Sequence, residues 1–157
     1  MEKIIIDYNK YGILVDNLYS KIKLSNLKFD AVHGLPRGGL PIAVHLSHYL
    51  EIPLVMSLNQ FVQEYNNGKL LVVDDIIDTG KTYERFLEII NITPINFVFS
   101  TLYYKSRSQF KPDIYVKETT SWIIFPWEDI NEKPSEYHQQ VYPNLTDDPD
   151  CLCDEII

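Results

Sequence analysis

The sequence predicts an α/β fold, an open and mostly parallel sheet flanked by helices, on three observations. Short apolar runs alternate with helical patterns along most of the chain. One run, "LLVVDDII" from Leu70, is nearly continuously apolar before its acids, as a strand buried on both faces of a parallel sheet must be. The two unusual glycine turns, Gly34 to Gly39 and Asp78 to Thr82, each follow such a run. In open parallel sheets ligands gather beyond the carboxyl ends of the strands, so the two turns point to one shared site.

The elements follow in order. From Asp7 to Leu24 apolar residues recur at Tyr8, Tyr11, Ile13, Leu14, Leu18 and Ile22, the spacing of an amphipathic helix with a glycine inside it. "FDAVHG" from Phe29 reads as a short strand ending on glycine. "LPRGGLPIAVHLSHYL" supplies a Gly-rich turn and a helix from about Pro41 to Leu50, with proline tolerated in the first turn because its missing N–H has no partner there. "IPLVMSL" reads as a second strand, "NNGK" as a turn and the run from Leu70 as a third strand. "GKTYERFLEIIN" is then a helix, "NFVFSTLYY" a strand, and "DIYVKE" and "SWIIFPW" two further short strands.

A chain of 157 residues with 45% hydrophobic side chains is the size of one compact domain, here 1–157. Its net charge of -8 and pI of about 4.9 speak against a nucleic-acid binder that works by neutralising phosphates. Only Cys151 and Cys153 are present, forming neither a disulfide framework nor a four-ligand zinc pattern, which points to a reducing, cytoplasmic setting. The opening "MEKIIIDYNKYG" has too short an apolar run for a signal peptide, and no run has the length of a membrane span. His45 and His48 lie three apart on the expected helix with no acid or cysteine to complete a metal set. The acidic segment "NLTDDPDCLCDEII", 144–157, is expected as a mobile tail or a lid.

The stretch "VVDDIIDTGKT" carries most of the chemistry. Its Gly-Lys-Thr matches the end of a nucleotide-hydrolase phosphate loop, but that loop needs a glycine where this chain has Asp75, and a carboxylate there opposes a phosphate. The D-x-D-x-T spacing of a phosphatase is absent as well. Three aspartates at a strand end repel one another unless a divalent cation or a ribose diol sits among them. Thr79, Gly80, Lys81 and Thr82 add backbone N–H groups and two hydroxyls at a helix N-terminus, where a phosphate monoester is favoured. The plainer alternative makes Asp78 a helix cap and Asp74 and Asp75 ordinary strand-end acids. In "HGLPRGGLP", Arg37 beside two glycines can present a guanidinium and bare backbone to an anion.

"VVDDIIDTGKT" resembles the phosphoribosyl-diphosphate signature of the type I phosphoribosyltransferases, most of all the purine salvage branch for hypoxanthine, guanine and xanthine. The resemblance implies that Asp74 and Asp75 hold the ribose hydroxyls, directly or through Mg2+. It also implies that Asp78, Thr79, Gly80, Lys81 and Thr82 cradle the 5'-phosphate, and that Asp78 lies near the purine N7 as general base or acid. "HGLPRGGLP" resembles the pyrophosphate loop of that family, which implies Pro36, Arg37 and Gly38 as its donors and makes the peptide from Pro36 to Arg37 a candidate cis bond. Lys105 aligns with the lysine that contacts the exocyclic oxygen of the purine. "SWIIFPW" resembles the base-binding segment, with Trp122 over the purine face and the Ile123 backbone reading its edge; Trp122 and Trp127 as plain core aromatics is the other reading. Glu128 and Asp129 stand where relatives have an acid that helps hold metal.

The resemblance runs from Phe29 to Asp129. It implies a sheet with a small hood from the chain ends and a homodimer or homotetramer whose partners are phosphoribosyl diphosphate and a purine base or nucleoside monophosphate, with no nucleic acid and no membrane. The implied reaction is Mg-dependent transfer of the phosphoribosyl group to a 6-oxopurine with release of pyrophosphate. Neighbouring aspartates are expected to raise the proton affinity of Asp78. One departure concerns "SLNQFVQEYNNGK", Ser57 to Lys69, which is shorter than the closing loop of relatives and lacks its Ser-Tyr pair. Closure is then partial, supplied by a neighbouring subunit, or replaced by the acidic tail, and a non-catalytic, nucleotide-sensing protein of the same fold is the alternative function.

Overall fold

The computed structural model describes residues 2–128; Asp129 and the tail at 144–157, with Cys151 and Cys153, lie outside the described residues. The elements are β1 (Lys3–Ile5), α1 (Tyr8–Leu24), β2 (Ala31–Gly34), α2 (Gly39–Leu50), α3 (Leu58–Glu64), β3 (Lys69–Ile77), α4 (Lys81–Ile92), β4 (Asn96–Lys105), β5 (Ile114–Thr119) and β6 (Trp122–Ile124). Strands β2, β3, β4 and β5 form one sheet in that order, every pair parallel. The α/β sheet expected from the alternation of strands and helices is thus present.

Strand β3 lies inside the sheet, and its alternation divides the core. Leu71 and Val73 face a cluster with Leu14, Leu18 and Ile22 of α1 and with Ile42 and Leu46 of α2. Leu70 and Val72 face the opposite cluster, with Phe61, Phe86 and Phe99. Each such buried aliphatic side chain contributes about 2 kcal/mol by leaving water, so the strand is fixed along its length up to the point where its acids begin. The position of Asp74 to Asp78 therefore follows from the packing of the residues before them.

Helix α1 starts where the sequence puts a cap: the Asp7 carboxylate accepts from Lys10 N at 2.7 Å. It buries Tyr11, Leu14, Val15, Leu18 and Ile22 and carries Lys21 and Lys23 in its last turn, where cations suit the helix dipole. Helix α2 begins at Gly39, earlier than the expected Pro41, so the glycine turn runs directly into it. No helix among the described residues is long and apolar enough to cross a membrane.

Two expectations need correction. "IPLVMSL" is not a strand: Val32 N donates to Pro53 O and Val55 N to Val32 O, both at 2.9 Å, giving only an isolated bridge between Val32 and Leu54. Pro53 has no N–H to extend the ladder, and the chain turns away at Ser57. The segment from Ser57 to Lys69, expected as a short loop, contains a helix instead. Ser57 Oγ accepts from Gln60 N at 3.0 Å and starts α3, which buries Leu58 and Phe61 at the i, i+3 spacing of one helix face. Strand β1, which sequence reading passed over, pairs in parallel with β6 through Lys3 with Trp122, Ile4 with Ile123 and Ile5 with Ile124. This two-stranded ribbon ties the start of the chain to the "SWIIFPW" segment, as a hood.

Candidate active site

The turn after β2 is held against β3 at close range. Leu35 N donates to Val73 O at 2.9 Å and Gly39 N to Leu35 O at 2.9 Å. The buried His33 lies within 2.9 Å of Val55 O through Nδ1, and burial lowers its proton affinity, so the neutral ring donates there. A Cβ on Gly38 would overlap the Asp75 carboxylate, and one on Gly39 would overlap Val73 O. Gly38 has φ -63°, so the requirement at this position is close approach and not a left-handed backbone. The peptide between Pro36 and Arg37 is cis, as expected.

Past Val73, β3 delivers its acids. Asp74 Oδ1 accepts from Asp75 N at 2.9 Å, and Asp75 Oδ1 accepts from Ile76 N at 2.7 Å. Burial, then the Asp75 charge, push the Asp74 carboxyl well above the usual carboxylate range. Burial, then the Glu128 charge, push Asp75 up to about 7. Glu128 Oε2 itself accepts from Phe125 N at 2.8 Å, which holds the side chain near the end of β6. Among the described residues, Thr101 Oγ1 is a buried polar atom without a hydrogen-bond partner, and Thr101 is the register partner of Asp74.

Asp78 has the opposite surroundings. Its Oδ2 accepts from Lys105 Nζ at 2.9 Å and its Oδ1 from Arg107 Nη2 at 2.6 Å. Burial presses its carboxyl upward, but the hydrogen bonds and charges of Arg107 and Lys105 outweigh burial and hold it below the usual carboxylate range. The expectation that Asp74 and Asp75 would raise its proton affinity is therefore wrong, because two cations pair directly with its two oxygens. Lys105 ends β4 with 1% of its side chain exposed, and its Nζ lies 5.0 Å from the centre of the Trp122 ring. Such a contact favours the charged lysine over the indole face.

The turn that follows Asp78 is open at its donors. Gly80, with φ 86°, precedes α4 without any side-chain cap, and the Lys81 N–H has only a long 3.4 Å approach to Thr79 Oγ1. The first-turn N–H groups of α4 are thus available to an anion. A Cβ on Gly80 would meet Phe110 Cδ2 at 2.7 Å, so the segment after β4 packs directly on this turn.

On β6, Trp122 N donates to Glu2 O, and Ile124 O accepts from Ile6 N. Alternation along the strand then turns the N–H and C=O of Ile123 away from β1, although its side chain is buried. Trp127 stacks on Phe125 at 5.1 Å and meets Tyr11 edge-on at 5.2 Å, a packing role. It also lines a cleft of about 440 Å³ between α1 and α2, with Tyr8, Tyr11, Pro41, His45 and Tyr49; none of the acids of β3 lines it.

Two groups of the expected residues are brought together. Gly38, Asp75 and Glu128 form one, and Asp78, Lys105 and Trp122 the other. Arg107 was missed by sequence reading. The signal was available as a second cation two positions after Lys105, but its meaning depended on knowing that the end of β4 lies beside the end of β3.

A phosphoribosyl transferase domain model matches residues 62–133. The chain is 31% identical over 125 residues to a xanthine-guanine phosphoribosyltransferase of Cereibacter sphaeroides, spanning 66% of this chain and 71% of that protein. It is 25% identical over 123 residues to the protein of the same name from Roseobacter denitrificans, spanning 62% of this chain and 68% of that one. Among solved structures, a purine phosphoribosyltransferase from Pyrococcus horikoshii superposes with a TM-score of 0.70 at 27% identity, over 87% of this chain and 100% of that one. The chain belongs to the type I phosphoribosyltransferases, in their purine branch.

Proposed function

We propose that this chain transfers the phosphoribosyl group of phosphoribosyl diphosphate to a 6-oxopurine, that is hypoxanthine, guanine or xanthine, releasing pyrophosphate and forming a nucleoside 5'-monophosphate. The observation that carries the reading is the buried Lys105 paired with Asp78 beside Trp122. An ammonium has donors and no acceptor, so it matches an exocyclic oxygen and mismatches the amino group of adenine. A site built around such a bond rejects the analogue that cannot make it by roughly a thousandfold or more.

In the reaction the C1–O bond breaks, its electron pair leaves on pyrophosphate, and a purine ring nitrogen bonds C1 through an oxocarbenium-like state. Thr79 to Thr82, at the uncapped start of α4, hold the 5'-phosphate and fix the ribose. Arg37 and the bare backbone of Gly38 stabilise charge gathering on the leaving group. The purine becomes cationic as its nitrogen bonds carbon, and its ring N–H proton passes to Asp78. A carboxylate kept ionised by two cations is a weak base, and it suffices because the proton comes from a cationic donor.

Magnesium fits the other group of acids. Asp74 is held back from ionisation by burial and then by the Asp75 charge, and Asp75 by burial and then by the Glu128 charge, and a divalent cation reverses that preference. Asp74 and Asp75, with Glu128, would hold the ion together with oxygens of the substrate, since among the described residues no three His, Cys, Asp or Glu side chains are grouped as a ready metal site. Asp129, the fourth expected ligand, lies outside the described residues. When bound, the ion neutralises charge on the departing pyrophosphate.

A second reading is favoured by α3. The segment standing in place of the closing loop of relatives, already short in the sequence, is a helix that buries Leu58 and Phe61, which suits a protein that binds phosphoribosyl diphosphate or nucleotides with little turnover. The assay that separates the two uses purified protein, magnesium and phosphoribosyl diphosphate with each of hypoxanthine, guanine, xanthine and adenine, measuring nucleoside monophosphate. Product from a 6-oxopurine and little from adenine is expected. No product from any base, with nucleotide binding retained, would falsify the transferase reading in favour of the sensor.

A further inference from the structure

Both oxygens of Asp78 are occupied before any purine arrives, and the two partners are unlike. Lys105 is 1% exposed and confined beneath Trp122, whereas Arg107 is 57% exposed and reaches Oδ1 from the turn that follows β4. That turn is tied down: Ser108 N donates to Lys105 O at 2.9 Å, and Phe110 packs on Gly80 and edge-on against Tyr83 at 5.2 Å. Arg107 is therefore presented by a braced turn at the border between the phosphate turn and the Lys105–Trp122 corner. Among the described residues, the charged side chains paired with Asp78 are Lys105 from β4 and Arg107 from this turn.

We propose that Arg107 is a positioning residue for the transfer: it holds Asp78 through Oδ1 in the orientation and ionised form that receives the purine proton, and yields that oxygen when the purine N–H arrives. The inference rests on the transferase reading given above. A buried lysine alone fixes one oxygen and leaves the carboxylate free to rotate about its bond to Cβ; a second donor on the other oxygen removes that freedom. The exposed partner is the one that can leave, because water can solvate a released guanidinium while a released Lys105 would be a bare charge in the interior. Removing Arg107 takes away one of the two cations that keep Asp78 acidic, so the carboxylate should protonate at higher pH.

The test uses the full chain carrying Arg107→Gln or Arg107→Lys. The Asp78 carboxyl is titrated by carbon NMR without ligand, and kcat/KM for hypoxanthine or guanine is followed from about pH 3 to about pH 8, across the carboxylate range, with the KM for phosphoribosyl diphosphate. Arg107→Gln should raise the NMR midpoint, move the acid limb of kcat/KM upward in step, and lower kcat/KM for the purine severalfold on that limb, with the KM for phosphoribosyl diphosphate unchanged. Arg107→Lys should restore most of both. An NMR midpoint that does not move overturns the inference whatever the activity. So does a moved midpoint with an unmoved acid limb in an active enzyme, since the pairing would then have no bearing on transfer. A wild-type chain that makes no product overturns the transferase reading, and with it the role in transfer, while a raised midpoint would still show the pairing itself.

Discussion

Asp74 and Asp75 on one side, and Asp78 on the other, stand within five residues of each other and have opposite electrostatics. Asp74 is buried with half-buried Asp75 beside it, and loss of water, the Asp75 charge on Asp74 and the Glu128 charge on Asp75 push both carboxyls toward the neutral form. Asp78 is gripped by Lys105 and Arg107 and stays ionised. Burial acts upward on all three, so burial does not explain the split; the nearest fixed charges do. On the proposed reading, the chain supplies its own cations where a proton would be received and leaves its acids uncompensated where a cation would be recruited. The fold produces this arrangement because the end of β4, with its lysine, adjoins the end of β3, while the acidic Glu128 comes round from the hood.

The strongest way to break that contrast is Asp78→Asn. It should lower kcat by about 100-fold to 1000-fold through loss of the proton acceptor, with the affinity for phosphoribosyl diphosphate little changed. It should also cost about 3 kcal/mol of stability, because Lys105 is left as a buried charge without its carboxylate. Steady-state kinetics beside chemical denaturation separates the two effects, and equal losses in kcat and in phosphoribosyl-diphosphate affinity would remove Asp78 from the proton step. Next in size is Gly38→Ala, whose methyl group overlaps the Asp75 carboxylate. A fall of about tenfold in kcat/KM for phosphoribosyl diphosphate is expected, at a stability cost of roughly 1–2 kcal/mol, with the KM for the purine unaffected. An unaltered kcat/KM for phosphoribosyl diphosphate would mean that the position of Asp75 does not matter to its binding.

The sheet was legible because apolar runs and glycine turns are local signals, and Asp74 to Thr82 carried the phosphate and acid logic in one continuous stretch. What escaped was contact between distant segments. Nothing near Asp78 in the chain announces that Arg107 lies 29 positions on and bonds to it, and reading only its acidic neighbours gave its proton affinity the wrong sign. The helix at Leu58–Glu64 was hidden for a different reason: seven residues give too little periodicity to stand out, although the Ser57 cap and the Leu58, Phe61 pair were present. Strand β1 has three residues and exists only because β6 pairs with it. The second expected strand failed on Pro53, a residue that counted in the sequence too.

Smaller effects sharpen the comparison from the acidic side. The folded-state proton affinity of Asp75 is raised to about 7, so in metal-free protein the folded chain binds more protons than the unfolded chain from pH near 4 to pH near 7. Stability should therefore fall as pH rises through that window. Asp75→Asn, which cannot ionise, should gain about 1–2 kcal/mol on the wild type between pH 4 and pH 8, with solvent screening limiting the gain. Thermal melts in a chelator check this, and a constant difference across the window would remove the uncompensated acid. Adding magnesium with pyrophosphate should shrink the gain, since a bound cation stabilises the ionised wild type.

Glu128→Gln is the mildest of the set. Glu128 is exposed and acts on Asp75 second to burial, and a glutamine oxygen can still accept from Phe125 N. Metal-free protein should gain about 0.5 kcal/mol or less at pH 8, and the gain should fade in high salt because the repulsion it removes is partly screened. The Asp78 titration should not move, because its partners are Lys105 and Arg107 and not the acids of the hood. A shift of Asp78 together with Asp75 would show that the two regions titrate as one network, and the separation between a recruited and a built-in cation would then be lost.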